Sequence, residues 1–133
     1  MERLGRVLVI EEDDLLRWSL THYLAEDGQE IRAVGSLNEV GQALAVPPDV
    51  IVFDLDLPRS TTLGWLRLLR EGAPNALLIA TTTESTEDGD KAVLAEGAVA
   101  VLRKPFDLSA VREIVRRHAR GPAPAPARMP SES

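Results

Sequence analysis

Val7-Leu8-Val9-Ile10, running directly into Glu11-Glu12-Asp13-Asp14, is the stretch that decides the fold. Its four apolar residues include three that are β-branched and show no polar alternation. That suits a strand buried on both faces, since a half-exposed strand would carry a polar residue at every second position. The same shape recurs. Val50-Ile51-Val52-Phe53 runs into Asp54, Leu77-Leu78-Ile79-Ala80 into Thr81-Thr82-Thr83, and Val99-Ala100-Val101-Leu102 into Arg103-Lys104-Pro105. Glu30-Ile31-Arg32-Ala33-Val34 alternates instead, as expected of a strand nearer the sheet edge.

Helical spacing fills the gaps between these runs. Leu16, Leu20 and Leu24 recur every four residues with Tyr23 beside them, predicting a helix over about 14 to 26 that Gly28 stops. Ser36 and Glu39 form a capping-box pattern before Val40, Ala43 and Leu44, with Pro47-Pro48 closing the helix. Leu63, Leu66 and Leu69 or Arg70 predict a helix ending at Gly72, and Ala92, Val93 and Ala95 a weaker one stopping before Gly97. Asp107 is placed to cap a last helix whose face carries Leu108, Val111, Ile114 and Val115. Strands and helices that alternate five times, with connections too long for hairpins, imply right-handed crossovers. The expected class is therefore α/β, a doubly wound five-stranded parallel sheet with helices on both faces.

A chain of 133 residues, 44% hydrophobic, holds one well-buried core and is short for two domains. The expected domain spans 5–119, and 120–133 reads as a Pro/Ala-rich tail or linker with little to bury. A net charge of −6 argues against non-specific nucleic-acid or anionic-membrane binding, and favours a cation or a basic partner. The absence of cysteine removes disulfides, thiolate metal sites and thiol nucleophiles. With no signal-like N-terminus and no membrane-length apolar run, the expected location is the cytoplasm.

In an open parallel sheet, ligands bind beyond the carboxyl ends of the strands. There this sequence sets Glu11-Glu12-Asp13-Asp14, Asp54 with Asp56, three threonines and Lys104. Converging carboxylates repel unless a divalent cation holds them, and hard oxygen donors select Mg2+ or Mn2+, which also takes a phosphate oxygen. A carboxylate can itself accept phosphorus as an acyl phosphate, so Asp54, Lys104 and a metal supply the parts of a phosphoryl-transfer site. Other readings stand beside this one. Asp13 and Asp14 suit the positive end of a helix, His22 and His118 read as surface residues, and Arg112, Arg116, Arg117 and Arg120 read as a solvated face. Trp18 and Trp65 suit either a partner or packing.

As a set, the acidic pair after strand one, Phe53-Asp54-Leu55-Asp56-Leu57-Pro58 after strand three and Lys104-Pro105-Phe106 after strand five resemble the receiver domain of two-component response regulators, over roughly residues 5 to 119. The resemblance implies a flavodoxin-like strand order of 2-1-3-4-5. It implies that Asp54 is phosphorylated by a histidine kinase or phosphotransfer protein, and that the metal is held by Glu11, Glu12, Asp54 and the backbone carbonyl of Asp56. Lys104 and Thr82 would bind the phosphoryl oxygens, and Thr82 and Val101 would be the switch positions. Family spacing counted back from Gly97 and Lys104 places the switch hydroxyl at Thr82, with Thr81 the alternative. The stretch Glu11 to Leu20 is similar to receivers attached to enhancer-binding activators. The expected function is a phosphoacceptor that catalyses only its own phosphorylation and dephosphorylation. It would signal to a downstream protein or an output domain, without direct nucleic-acid or membrane binding, and admits a homodimer through helix 4, strand 5 and helix 5.

Three departures from the family pattern have chemical consequences. Glu12 stands where Asp is usual and alters the reach to a metal, with Asp13 a candidate helper. Arg59-Ser60-Thr61-Thr62 lacks the glycine that many relatives carry, and Val101 replaces an aromatic residue. An alternative follows, a pseudo-receiver that binds a partner constitutively. A phosphatase or nucleotide enzyme on a similar sheet is the weakest option, because no Gly-rich phosphate loop follows any strand.

Overall fold

A computed structural model describes residues 5–57 and 62–119. The loop departure at 59–61 and the tail at 120–133 lie outside the described residues, as does Arg120. Strands β1 (Arg6–Ile10), β2 (Glu30–Val34), β3 (Val50–Asp54), β4 (Leu77–Thr82) and β5 (Ala98–Arg103) alternate with helices α1 (Asp14–Ala25), α2 (Val40–Ala43), α3 (Thr62–Gly72), α4 (Glu87–Ala95) and α5 (Leu108–Ala119). All the strand pairs are parallel and the order is β2-β1-β3-β4-β5, as expected.

Because side chains alternate across a sheet, each apolar run supplies two cores. Leu8, Ile10, Ile51, Phe53, Leu78 and Ala80 face α2, α3 and α4, where Val40, Leu66, Leu69 and Val93 meet them. Val7, Val9, Val50, Val52 and Ile79 face α1 and α5, where Leu20, Leu24, Val111 and Val115 meet them. A fully buried side chain of this size contributes roughly 2 kcal/mol relative to exposure. Truncating Phe53, fully buried beside Asp54, to alanine would cost about 3–5 kcal/mol.

Three local expectations are corrected. The capping box fails: the Ser36 hydroxyl donates to the Glu39 carboxylate at 3.2 Å and caps no backbone N–H, and a 3-10 turn at Leu37–Glu39 precedes a helix of only four residues. β5 is not buried like the central strands, for it lies at the sheet edge, where Val99 is 43% exposed. β4 runs two residues beyond its apolar run, because Thr81 and Thr82 continue the ladder beside Asp54 and Arg103. Elsewhere the stops act as read. Gly28 and Gly97 take positive φ (83° and 110°), the left-handed conformation that only glycine adopts freely.

Register positions the site. Ile10 pairs with Phe53, Asp54 with Thr81, and Thr82 with Arg103. The next residues along the chain, Glu11 and Lys104, therefore join Asp54 and Thr82 along one edge of the sheet.

Candidate functional site

Asp54 ends β3, and its side chain is only 2% exposed. Oδ1 accepts the Asp56 N–H at 2.8 Å and the Lys104 ammonium at 3.1 Å, while Oδ2 has a longer contact, 3.4 Å, from the Glu12 N–H. Lys104 reaches this point because its own N–H donates to the Thr82 carbonyl at 2.7 Å, which extends the ladder one residue past β5. The peptide joining it to Pro105 is cis. Its side chain, 15% exposed, also stands 3.2 Å from a Glu11 carboxylate oxygen and 3.7 Å from Asp56. Burial pulls the Lys104 ammonium down, but hydrogen bonding and attraction from Asp54, then Glu11, outweigh it and raise the pKa overall.

The two glutamates of the acidic pair part company. Glu11 keeps its N–H on the Val34 carbonyl and turns its side chain inward, where Oε2 accepts the Asp13 N–H at 2.9 Å. Burial, then repulsion from Asp54, pushes its carboxyl up to about 7 against the opposing pull of the Asp13 N–H and Lys104. Glu12 is exposed, and its backbone N–H faces Asp54. Asp13, the candidate helper for a metal, is the α1 N-cap, with Oδ1 accepting from the Leu16 N–H at 2.9 Å. Asp14 pairs with Arg17. Arg17, which sequence reasoning passed over, also donates to the carbonyls of Glu11 and Glu12 at 2.9 and 3.2 Å and so pins the acidic loop. Its spacing of three from Asp14 is the available signal.

The threonines separate as clearly. Thr82 Oγ1 donates to Asp56 Oδ1 at 2.9 Å and accepts the Glu84 N–H at 3.1 Å. Thr81 pairs in register with Asp54, yet its buried hydroxyl oxygen has no hydrogen-bond partner. Asp56 Oδ2 takes the Thr83 N–H at 2.8 Å, a role for this carboxylate that the sequence did not suggest. Val101 lies half-buried against the α3/α4 core. Trp18 is exposed and stacks on His22, with ring centroids 4.0 Å apart, whereas Trp65 packs against the core.

Among the described residues no three His, Cys, Asp or Glu side chains converge as a preformed metal cage. The donor chemistry still fits a hard divalent cation. Among the described residues Glu11, Asp54 and Asp56 supply three carboxylates against the single Lys104 ammonium, and the backbone of the exposed Glu12 faces Asp54.

The chain is 31% identical over 114 residues to the DNA-binding transcriptional regulator NtrC of Proteus hauseri, a match covering 85% of this chain and 24% of that protein. It is 30% identical to the response regulator protein FleR of Pseudomonas aeruginosa, covering 90% of this chain and 26% of FleR. The chain thus spans about a quarter of the length of these relatives. In fold it matches a response regulator from Thermotoga maritima (TM-score 0.80, 21% identity, 90% of this chain and 100% of that one). It also matches a Burkholderia pseudomallei response regulator solved with a phosphorylated aspartic acid, calcium ion and citrate (TM-score 0.77, 20% identity, 87% and 69%). A family model, the response regulator receiver domain, matches residues 7–116. This chain belongs to the response regulator receiver domain family.

Proposed function

We propose that Asp54 accepts a phosphoryl group from a histidine kinase or a phosphotransfer protein, and that the chain signals through the resulting change of surface. The observation that carries this reading is the Lys104 ammonium, held 3.1 Å from a buried Asp54 carboxylate. Attack by an Asp54 oxygen forms a P–O bond as the bond from phosphorus to the donor nitrogen breaks, and the electron pair leaves on that nitrogen. Negative charge on the transferred group then meets the fixed ammonium of Lys104 in a site where solvent screens it little. Glu11, Glu12, Asp54 and the Asp56 carbonyl would hold Mg2+ or Mn2+, which would neutralise phosphoryl charge. The Asp56 N–H on Oδ1 keeps the carboxylate oriented throughout.

On this reading residues 5–119 are the receiver unit, and the Pro/Ala-rich 120–133 is its tail or a linker. The protein turns over no external substrate. It is cytoplasmic, and among the described residues no helix is long and apolar enough to cross a membrane. Thr82 is the switch hydroxyl, and α4, β5 and α5 form the face that meets an output partner, an output domain or a second copy. Leu94 and Val99 leave apolar surface on that face.

A second reading, constitutive partner binding without phosphorylation, draws support from the exposed Glu12, the lack of a preformed metal cage among the described residues and Val101. Incubation with magnesium and acetyl phosphate, followed by intact-mass measurement, separates the two. We expect the wild type to gain one phosphoryl mass and Asp54→Ala none. An inert wild type favours the second reading, and a gain that survives Asp54→Ala removes Asp54 from the role.

A further inference from the structure

We infer that the Asp56 carboxylate is a resident competitor of the phosphoryl group, holding in the resting protein the donors that the group on Asp54 must win. The inference rests on the reading of Asp54 as phosphoacceptor. Its starting point is a count of hydrogens. The Thr82 hydroxyl has one proton, given to Asp56 Oδ1 at 2.9 Å, and its oxygen already accepts from the Glu84 N–H. The Thr83 N–H also has one, given to Asp56 Oδ2 at 2.8 Å. Both donors converge on one carboxylate, so an anion that replaces it meets both, and an anion that does not displace it meets neither.

Charge points the same way. Lys104 lies 3.1 Å from Asp54 and 3.7 Å from Asp56, so one ammonium spans both carboxylates. The Asp56 N–H on Asp54 Oδ1 fixes them as neighbours. A phosphoryl group added to Asp54 brings further negative charge against Asp56, and the two anions repel each other while contending for the same donors. The Asp56 side chain is 30% exposed, whereas those of Asp54 and Glu11 are at 2%, so it alone of the three has a way out into water. Phosphorylation then exchanges one anion for another. Asp56 swings outward, and Thr82 and Thr83 pass from its carboxylate to the phosphoryl oxygens. The residue sets the threshold of the switch without contributing a bond to the transfer, which makes it a positioning residue.

The test is a titration with beryllium fluoride and magnesium, followed by amide NMR, on wild type, Asp56→Ala and Asp56→Asn. Each variant keeps the backbone carbonyl and removes the charge, and the Asn form preserves side-chain size should the Ala form fold poorly. We expect roughly tenfold tighter binding by Asp56→Ala, with Asp56→Asn between it and wild type. Before any ligand is added, the Thr83 amide resonance should also move upfield in both, because its charge-assisted bond is gone. A wild type that binds while neither variant binds more tightly overturns this inference and leaves Asp54 in place. A Thr83 resonance unmoved by both substitutions overturns it too. If no form binds, the reading of Asp54 falls first and takes this one with it.

Discussion

At the mouth of the sheet one ammonium, Lys104, faces the carboxylates of Glu11, Asp54 and Asp56, whereas between α1 and α5 two guanidiniums, Arg112 and Arg116, face two carboxylates, Glu26 and Asp27. Both clusters join segments far apart in the chain. Among the described residues only the first is short of positive charge, and burial, with repulsion from Asp54 added, pushes its Glu11 carboxyl up to about 7. The second is balanced and has additional supports. Arg112 lies 3.7 Å over the Tyr23 ring and donates to the Tyr23 carbonyl at 2.8 Å. Unbalanced charge, close to the surface yet withdrawn from water, is poised to bind a cation or exchange an anion, while balanced charge at a helix pair only holds the helices together.

Removing Lys104 is the sharpest way to break the comparison. Lys104→Met leaves Glu11 and Asp54 buried and uncompensated, which should cost about 3 kcal/mol at neutral pH. Urea unfolding of wild type and variant at pH 7.5 measures it. Equal midpoints would mean that the acids already escape their burden by protonation or hydration.

Glu11 gives the next largest effect. Its folded pKa of about 7 lies above the ordinary 4.5, so between those values the folded chain binds more protons than the unfolded one. Stability from this group is thus complete below pH 4.5 and is lost as pH rises through 7, by about 2 kcal/mol once solvent near the site is allowed for. Glu11→Gln should flatten that slope in a series of urea melts between pH 5 and 8, and an unchanged slope would assign the deficit elsewhere.

The contrast also marks how far the amino-acid order could be read. Runs such as Val7–Ile10 and Val50–Phe53 are local patterns of period two, and a parallel sheet converts them into aligned strand ends. That alignment is why Glu11, Asp54, Thr82 and Lys104 could be grouped without coordinates. Side-chain direction beyond the strand ends was not legible, because it depends on which partner offers a hydrogen. Glu12 reads as equivalent to Glu11 but stays outside, Thr81 reads as nearly equivalent to Thr82 but its hydroxyl has no partner, and Asp56 enters for its backbone and contributes its carboxylate. From sequence alone the α1–α5 clamp reads as a solvated arginine face. Its partners lie 86 and 89 residues away, and no spacing rule on α5 points to Glu26 or Asp27.

That clamp provides the smallest predicted effect and the control for the others. Arg112→Ala removes the stack on Tyr23 and the pairs to Glu26 and Asp27. Asp27 nevertheless keeps Arg116, which donates to Oδ1 at 2.9 Å, and Glu26 is 69% exposed and passes to water, so no buried carboxylate is stranded. The Arg112 Nε stands 2.9 Å from Oδ2 without hydrogen-bond alignment, making that contact a buried ion pair that salt screens little. A melting temperature lower by roughly 5 °C is expected. Arg112→Lys should recover little of it, because an ammonium cannot reproduce a planar guanidinium that stacks and donates at once. Phosphoryl uptake at Asp54 should be unchanged in both variants. Impaired uptake at a temperature where the variant is folded would mean that the balanced cluster also serves the unbalanced one, and the division between holding and exchanging would have to be redrawn.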